Sequence, residues 1–238
     1  MIYAAVLAAG LGVRMHRQDL PKPFLALGNK PIIIHTLEQF YVNKQIGHII
    51  VVTADTWRTY AEDTISRYGT MGKKVTVIRG GESKTESIKL VAEYINEKFG
   101  VSGKDILVTH DAIRPFVTQR MIDENIDAAL KFGAVSTVMT TNDTIVVSAD
   151  GVKMREVPRK LQMFAEQTPQ TFNLEKLNEV FSGAEKENVK FGEETAIARL
   201  FLRFGHEIRL VRGEYSNMKI INPYDLEVAN ALLVEREK

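Results

Sequence analysis

Residues able to do chemistry cluster first near the start of the chain. Ala8-Ala9-Gly10-Leu11-Gly12 forms a turn poor in side chains. Arg14 follows it, and Lys22 comes after Pro21. Backbone N–H groups exposed by such a turn can wrap a phosphate chain, and two nearby cations complete an anion site. The turn is fed by the apolar run Leu7 and its predecessors, residues 2–7, which is short and β-branched enough to be a buried strand. A second group follows the run 105–109: His110, Asp111, Ala112 and Arg114 would sit at a strand's carboxyl end. There Asp111 can bind a hydroxyl or a metal-bound water, and Arg114 can fork onto a phosphate. His110 is read as orienting Asp111. A third group, Gly80-Gly81-Glu82-Ser83-Lys84-Thr85-Glu86-Ser87, leaves another strand and opens a helix. Its glycines admit a flat ligand close to the backbone, although Ser83 and Glu86 as a capping box explain the helix start without any ligand.

Two common nucleotide sites are excluded. Gly-Lys-Ser/Thr after a four-residue gap is absent, so this is no Walker phosphate loop. Met15 stands where a dinucleotide fingerprint needs its third glycine or alanine. The first acid after a second strand, Asp55, comes far beyond the roughly 20 residues expected, which removes a nicotinamide dehydrogenase. Lys219, in Glu214-Tyr215-Ser216-Asn217-Met218-Lys219-Ile220, is a further phosphate binder only in company with the others; a lone lysine is usually solvated.

These groups need a scaffold. Apolar runs at 2–7, 48–53, 74–78, 105–109, 134–139, 144–147 and 207–211 read as strands. Helical spacing covers 32–41, 57–68, 85–99, 119–132, 174–181, 193–204 and 224–233. Strands alternating with helices predict an α/β, Rossmann-like, mostly parallel sheet covered on both faces, with ligands beyond the strands' carboxyl ends. The alternation breaks after about Thr140. Residues 144–147 and 153–157, joined by Ala149-Asp150-Gly151, and an extended piece up to Gln167 read as a β-arm at about 141–168. An isolated two-stranded arm is marginal alone, so it is expected to pack on a second copy of the chain.

The chain has 238 residues, which fits one nucleotide-site domain carrying an arm. It has 45% hydrophobic and 26% charged residues and a net charge of +1, so no global field draws nucleic acid or an anionic membrane. With no cysteine, disulfides, thiolate metal sites and cysteine nucleophiles are excluded. The start lacks a basic leader and its apolar run is too short to span a membrane, so the cytoplasm is the expected location.

LAAGLGVRM, PKPFL, GGESKTES, HDAIRPF, DT, QTPQTF and EYSNMKI, in this order over nearly the whole chain, resemble the cytidylyltransferases that activate polyol phosphates. This family includes 2-C-methyl-D-erythritol 4-phosphate and ribitol-5-phosphate cytidylyltransferases. HDAIRPFVTQRMI, QTPQTF and GEYSNMKI are worded closer to the ribitol branch, which supplies teichoic acid precursors. The resemblance implies transfer from CTP with Mg²⁺ carried chiefly by the triphosphate and Asp111 as its outer partner. It implies that Arg14 and Lys22 stabilise the transition state and that Lys219 holds the α-phosphate. Leu7, Ala8, Ala9, Gly10, Gly12, Gly81, Glu82, Ser83, Ser87 and Ala112 are expected to bind the nucleotide. Asp111, Arg114, Thr144, Arg159 or Lys160, and Thr168 are expected to bind the polyol phosphate, with Thr144 and the arm's cation delivered by a second subunit of a homodimer. The sequence departs from the family in three places. Pro23 replaces a glutamine, Lys160 or Arg159 stands for the arm's arginine, and Gly192-Glu193-Glu194-Thr195 replaces a Thr-Asp helix start. A catalytically silent nucleotide-binding subunit is the alternative of another class; the joint presence of Arg14, Lys22, Asp111, Arg114 and Lys219 argues against it.

Overall fold

The structure is a computed structural model that describes residues 1–10, 20–69, 72–192 and 196–236. Gly12, Arg14 and residues 193–195 lie outside them. The sheet has seven strands: β1 (Ile2–Leu7), β4 (His48–Thr53), β5 (Val75–Arg79), β6 (Ile106–Asp111), β7 (Ala134–Thr140), β8 (Phe164–Asn173) and β9 (Arg209–Arg212). Their order is β5-β4-β1-β6-β8-β7-β9. A two-residue pair, β2 (Ala26–Leu27) with β3 (Lys30–Pro31), stands apart.

Alternate residues of the central strands go to opposite layers, as the period of two requires. Ala4 and Val6 of β1 face α1 (Ile32–Val42), α2 (Arg58–Arg67) and α4 (Gln119–Phe132). Tyr3 and Ala5 face α3 (Lys84–Phe99), α5 (Leu174–Lys186) and α6 (Ile197–Arg203). Burial on both faces is why these strands read as continuous apolar runs. α7 (Pro223–Arg236) closes a third cluster with Leu27 and Ile32. The helices start where caps dictate: Ser83, Thr118 and Asn173 each accept the backbone N–H three residues on. α4 stops at Gly133, whose φ of 88° suits glycine.

The expected arm is corrected at its far end. Residues 164–173 are β8, a full member of the sheet, antiparallel to both β6 and β7. The long excursion after β7 brings the chain back reversed, so no crossover helix is needed. The excursion is therefore 141–163, and within it the two expected strands reduce to a single bridge, Val147 to Glu156. Its tip is the expected turn: Asp150 Oδ1 accepts from Val152 N at 2.9 Å and Lys153 N at 2.8 Å, with Gly151 at φ 71°.

Candidate active site

β1, β4, β5 and β6 end on the same side, and the loops leaving β1, β5 and β6 meet there. A cleft of about 310 Å³ opens between them, lined by Leu7, Ala8, Ala9, Gly10, Lys22, Gly81, Glu82, Ser83, Ser87, Asp111 and Lys219. All of these were singled out in the sequence. Pro23, noted above only as a departure from the family, Lys84, which stands in the third group without a role of its own, Ile113 and Ile221 complete the lining.

The base-side turn is held tightly. Gly81 N donates to Ser87 Oγ at 3.1 Å, and Glu86 N donates to Ser83 Oγ at 3.1 Å. The carboxylate of Glu86 reaches back to Glu82 N at 2.7 Å, one residue ahead of the reciprocal capping bond expected at Ser83. A Cβ on Gly80 would stand 2.8 Å from Ala9 Cβ, so this glycine is what lets the first and third loops touch.

Lys22 opens a three-residue helical turn between Pro21 and Pro23 and is 7% exposed. Phe24 anchors that turn edge-on to Tyr60 at 5.1 Å and near Trp57 at 6.4 Å. The substitution at Pro23 thus stiffens the segment that carries the lysine.

Asp111 is the hub. Lys84 Nζ lies 3.1 Å from Oδ1, and Lys219 Nζ and Arg114 Nε lie 3.2 and 3.3 Å from Oδ2. Burial opposes its ionisation, but Lys84, Lys219 and Arg114 override it and hold the carboxyl well below the usual carboxylate range. Arg114 and Thr168 reach the site through Asp111 rather than lining the cleft. Arg114 Nη1 also donates to Asn217 O at 2.8 Å, and Thr168 Oγ1 accepts from Asp111 N at 3.1 Å. Buried Asn217 donates to Thr168 O at 2.7 Å, tying the segment that carries Lys219 to β8. Ala112 lies behind the cleft in the core, its carbonyl accepting from Thr36 Oγ1 at 2.8 Å. Thr144, Arg159 and Lys160 are exposed on the excursion and do not line their own chain's cleft; Lys160 Nζ donates to Asn142 O at 2.7 Å.

Lys84 was missed although the sequence carried a sign of it. A cation in the first turn of a helix opposes the helix dipole, so it needs an anion nearby; here that anion is Asp111.

His110 is fully buried against Phe40, and its Nε2–H donates to Arg114 O at 3.0 Å. Its Nδ1 has no partner among the described residues. Burial pushes its pKa down to about 4, so it is neutral at pH 7 and serves to hold the Asp111–Arg114 turn. Between that value and the ordinary 6.5 the unfolded chain binds the extra proton, so stability falls as pH falls. From pH 7 to 5 this group alone should remove about 2 kcal/mol. Urea denaturation of the wild type and of His110→Gln at both pH values checks it: the wild type should lose more, by about that amount. Equal losses would refute the assignment.

A Rossmann-like sheet with phosphate-sized loops and cations at its strand ends defines a nucleotidyltransferase-type site. The sequence model of the IspD family, 2-C-methyl-D-erythritol 4-phosphate cytidylyltransferase, matches residues 2–235. The chain belongs to this family and is a cytidylyltransferase. Among solved structures it is similar to the 4-diphosphocytidyl-2C-methyl-D-erythritol synthase of Anaerococcus prevotii DSM 20548. That match has 25% identity and a TM-score of 0.78, and covers 98% of this chain and 96% of that one. The Francisella tularensis 2-C-methyl-D-erythritol 4-phosphate cytidylyltransferase has 24% identity, a TM-score of 0.79 and coverage of 97% and 98%. The Thermus thermophilus protein of the same name has 24% identity, a TM-score of 0.73 and coverage of 98% of both chains. Among the described residues no helix is long and apolar enough to cross a membrane.

Proposed function

We propose that the chain joins CTP to 2-C-methyl-D-erythritol 4-phosphate, releasing pyrophosphate. The observation that carries the reading is the cleft in which two glycine turns face Lys22, Lys84 and Lys219 around one ionised Asp111. The family match and the names of the similar structures support this acceptor over ribitol 5-phosphate. Ribitol 5-phosphate remains the second reading, because HDAIRPFVTQRMI, QTPQTF and GEYSNMKI are worded as in that branch.

In this reading a phosphate oxygen of the acceptor attacks the α-phosphorus in line. The new P–O bond forms as the bond to the β-phosphate's bridging oxygen breaks, and pyrophosphate carries away the electron pair. The nucleophile is already an anion, so no strong base is required. The barrier is repulsion between polyanions and charge building on the bridging oxygens, which fixed cations answer. Ala8, Ala9 and Gly10, with Gly12, wrap the triphosphate; Lys22, with Arg14, stabilises the transition state; and Lys219 holds the α-phosphate. Gly81, Glu82, Ser83 and Ser87 face the base. Asp111, braced by Arg114 and Thr168, fixes the acceptor.

Magnesium enters this scheme as the counter-ion of CTP. Among the described residues the one buried carboxylate of the cleft, Asp111, has a cation on each oxygen, so its donor set does not fit a protein-held Mg²⁺. Pyrophosphate release with CTP and each acceptor tests the reading. Turnover with 2-C-methyl-D-erythritol 4-phosphate well above that with ribitol 5-phosphate supports it, and the reverse selects the second reading. ATP or GTP used as well as CTP would remove the base assignment.

We also propose that the site is shared between two copies. The excursion exposes Val152 by 84% and Leu161 by 93%, apolar surface that a partner would cover, while its Thr144, Arg159 and Lys160 are suited to a phosphate. Mixing a Lys22→Ala chain with one altered at both Arg159 and Lys160 should restore activity through heterodimers. No recovery after verified subunit exchange would place each site within a single chain.

A further inference from the structure

Lys219 lies in residues 213–222, which join β9 to α7 and belong to no helix or strand. A lysine there is a flexible stem on an irregular chain, so its ammonium is aimed only if the backbone beside it is fixed. Two anchors bracket it. One residue after it, Ile220 is fully buried, and its N donates to Ile113 O at 3.0 Å, next to the Asp111–Arg114 turn. Two residues before it stands Asn217, equally buried.

An amide is an unusual anchor. Asn217 Nδ2 donates to Thr168 O at 2.7 Å and to Gln167 Oε1 at 3.1 Å, whereas its Oδ1, also buried, has no partner among the described residues. A buried amide short of one partner stabilises a fold poorly, and an apolar side chain would serve that end better. What the amide supplies is direction. Its bonds hold the segment against β8 at Thr168, whose Oγ1 accepts from Asp111 N at 3.1 Å. The main-chain carbonyl of Asn217 accepts from Arg114 Nη1 at 2.8 Å, and Arg114 Nε returns to Asp111 Oδ2 at 3.3 Å. Asp111, Thr168, Asn217 and Arg114 thus close a ring of bonds between segments far apart in sequence. Two residues of chain lead from that ring to Lys219, whose Nζ lies 3.2 Å from the same Asp111 Oδ2.

We propose that Asn217 is a positioning residue of the transfer reaction: it lies outside the cleft lining and acts by fixing the backbone from which Lys219 reaches the α-phosphate. This rests on the reading above, in which Lys219 holds that phosphate.

A double-mutant cycle in turnover tests it. Wild type, Asn217→Ala, Lys219→Ala and the double variant are compared at saturating CTP and acceptor, below the melting temperature of each. The Arg114 bond goes to the main chain of residue 217 and survives the substitution, so only the tie to β8 is removed. Asn217→Ala should lower kcat about 10²-fold, the scale of a displaced reacting or charge-stabilising group. In the Lys219→Ala background the same change should cost little, because the group it aims is gone. Against Lys22→Ala, on a separate loop, the losses should multiply. Losses that multiply in the Lys219→Ala background overturn the proposal. So does a folded Asn217→Ala with unchanged kcat, or a Lys22→Ala background that masks the loss equally. Where Asn217→Ala fails to fold, the same cycle with Gln167→Ala decides in the same way, since it cuts half of the tie at a side chain only half-buried. Lys219→Ala with wild-type turnover overturns the role given to Lys219, and a wild type that releases no pyrophosphate with either acceptor overturns the function reading; each takes this proposal with it.

Discussion

Replacing Lys22 by alanine lowers kcat about 10²- to 10³-fold, the scale of losing one fixed charge-stabilising donor. Its ammonium is carried on a turn bounded by Pro21 and Pro23, and Phe24 pins that turn to Trp57 and Tyr60. The cation therefore needs little reorganisation when charge develops, and such preorganisation is what makes it effective. Little core packing depends on the side chain itself, so the variant should fold. Trp57, the sole tryptophan, stands 6.4 Å from Phe24 and reports on the turn through its fluorescence. An unchanged emission spectrum and melting temperature beside collapsed turnover is the expected pair. Near wild-type turnover at saturating CTP and acceptor would show that the loop has been misassigned. Arg14, outside the described residues, carries the same expectation from the sequence alone.

Asp111→Asn should be as damaging, and it should register in stability as well. The carboxylate gathers Lys84, Lys219 and Arg114, so its neutral replacement leaves three cations facing one another. We expect kcat/KM for the acceptor to fall by about 10² or more, as befits a group that positions both a substrate and two lysines. Because Lys84 and Lys219 are each more than a third exposed, the stability loss at pH 7 is discounted to about 2 kcal/mol. The pH dependence has a definite sign. A carboxyl depressed in the folded state contributes stability above its unfolded pKa of about 3.9, and that contribution is lost as pH falls from there. Wild type should therefore converge on Asp111→Asn in denaturation experiments run progressively below pH 4. A constant gap down to strongly acid conditions would mean that Asp111 is not the hub.

How much could be read in advance follows from what each segment buries. β1, β4 and β6 were legible because both faces are covered, which forces uninterrupted apolar runs. The helices were legible from their spacing, and α3 from its cap as well. β8 was not. Its sequence, FAEQTPQTFN, is polar and contains a proline, yet Thr168, Gln170 and Thr171 are buried in the middle of the sheet. Their polar groups are satisfied by partners distant in sequence: Asp111 N and Asn217 Nδ2 at Thr168, Thr109 Oγ1 at the carbonyl of Gln170, and Asn125 Oδ1 at Thr171. No local pattern announces such a strand.

The site divides along the same line. Leu7, Asp111 and the Gly81–Ser87 turn gather at one cleft because a parallel sheet delivers its strand ends to one side, whereas Ala112 lies behind it in the core. Lys84 was given no role because it acquires meaning only from a neighbour brought by topology, Asp111. The acceptor could not be read from spacing at all. The motif wording favours ribitol 5-phosphate and the family match favours the methylerythritol compound, and both acceptors present the same phosphate to the same cations.

In the proposed reaction the acceptor's phosphate attacks the α-phosphorus of CTP in this cleft. Phosphorus NMR of a reaction holding the wild-type chain, CTP, Mg²⁺ and 2-C-methyl-D-erythritol 4-phosphate tests it most directly, with a parallel tube containing ribitol 5-phosphate. Pyrophosphate and a CDP-alditol should appear in equal amounts in the first tube, or in the second on the alternative acceptor. CDP with a doubly phosphorylated alditol, or CTP left intact beside both acceptors, would contradict it.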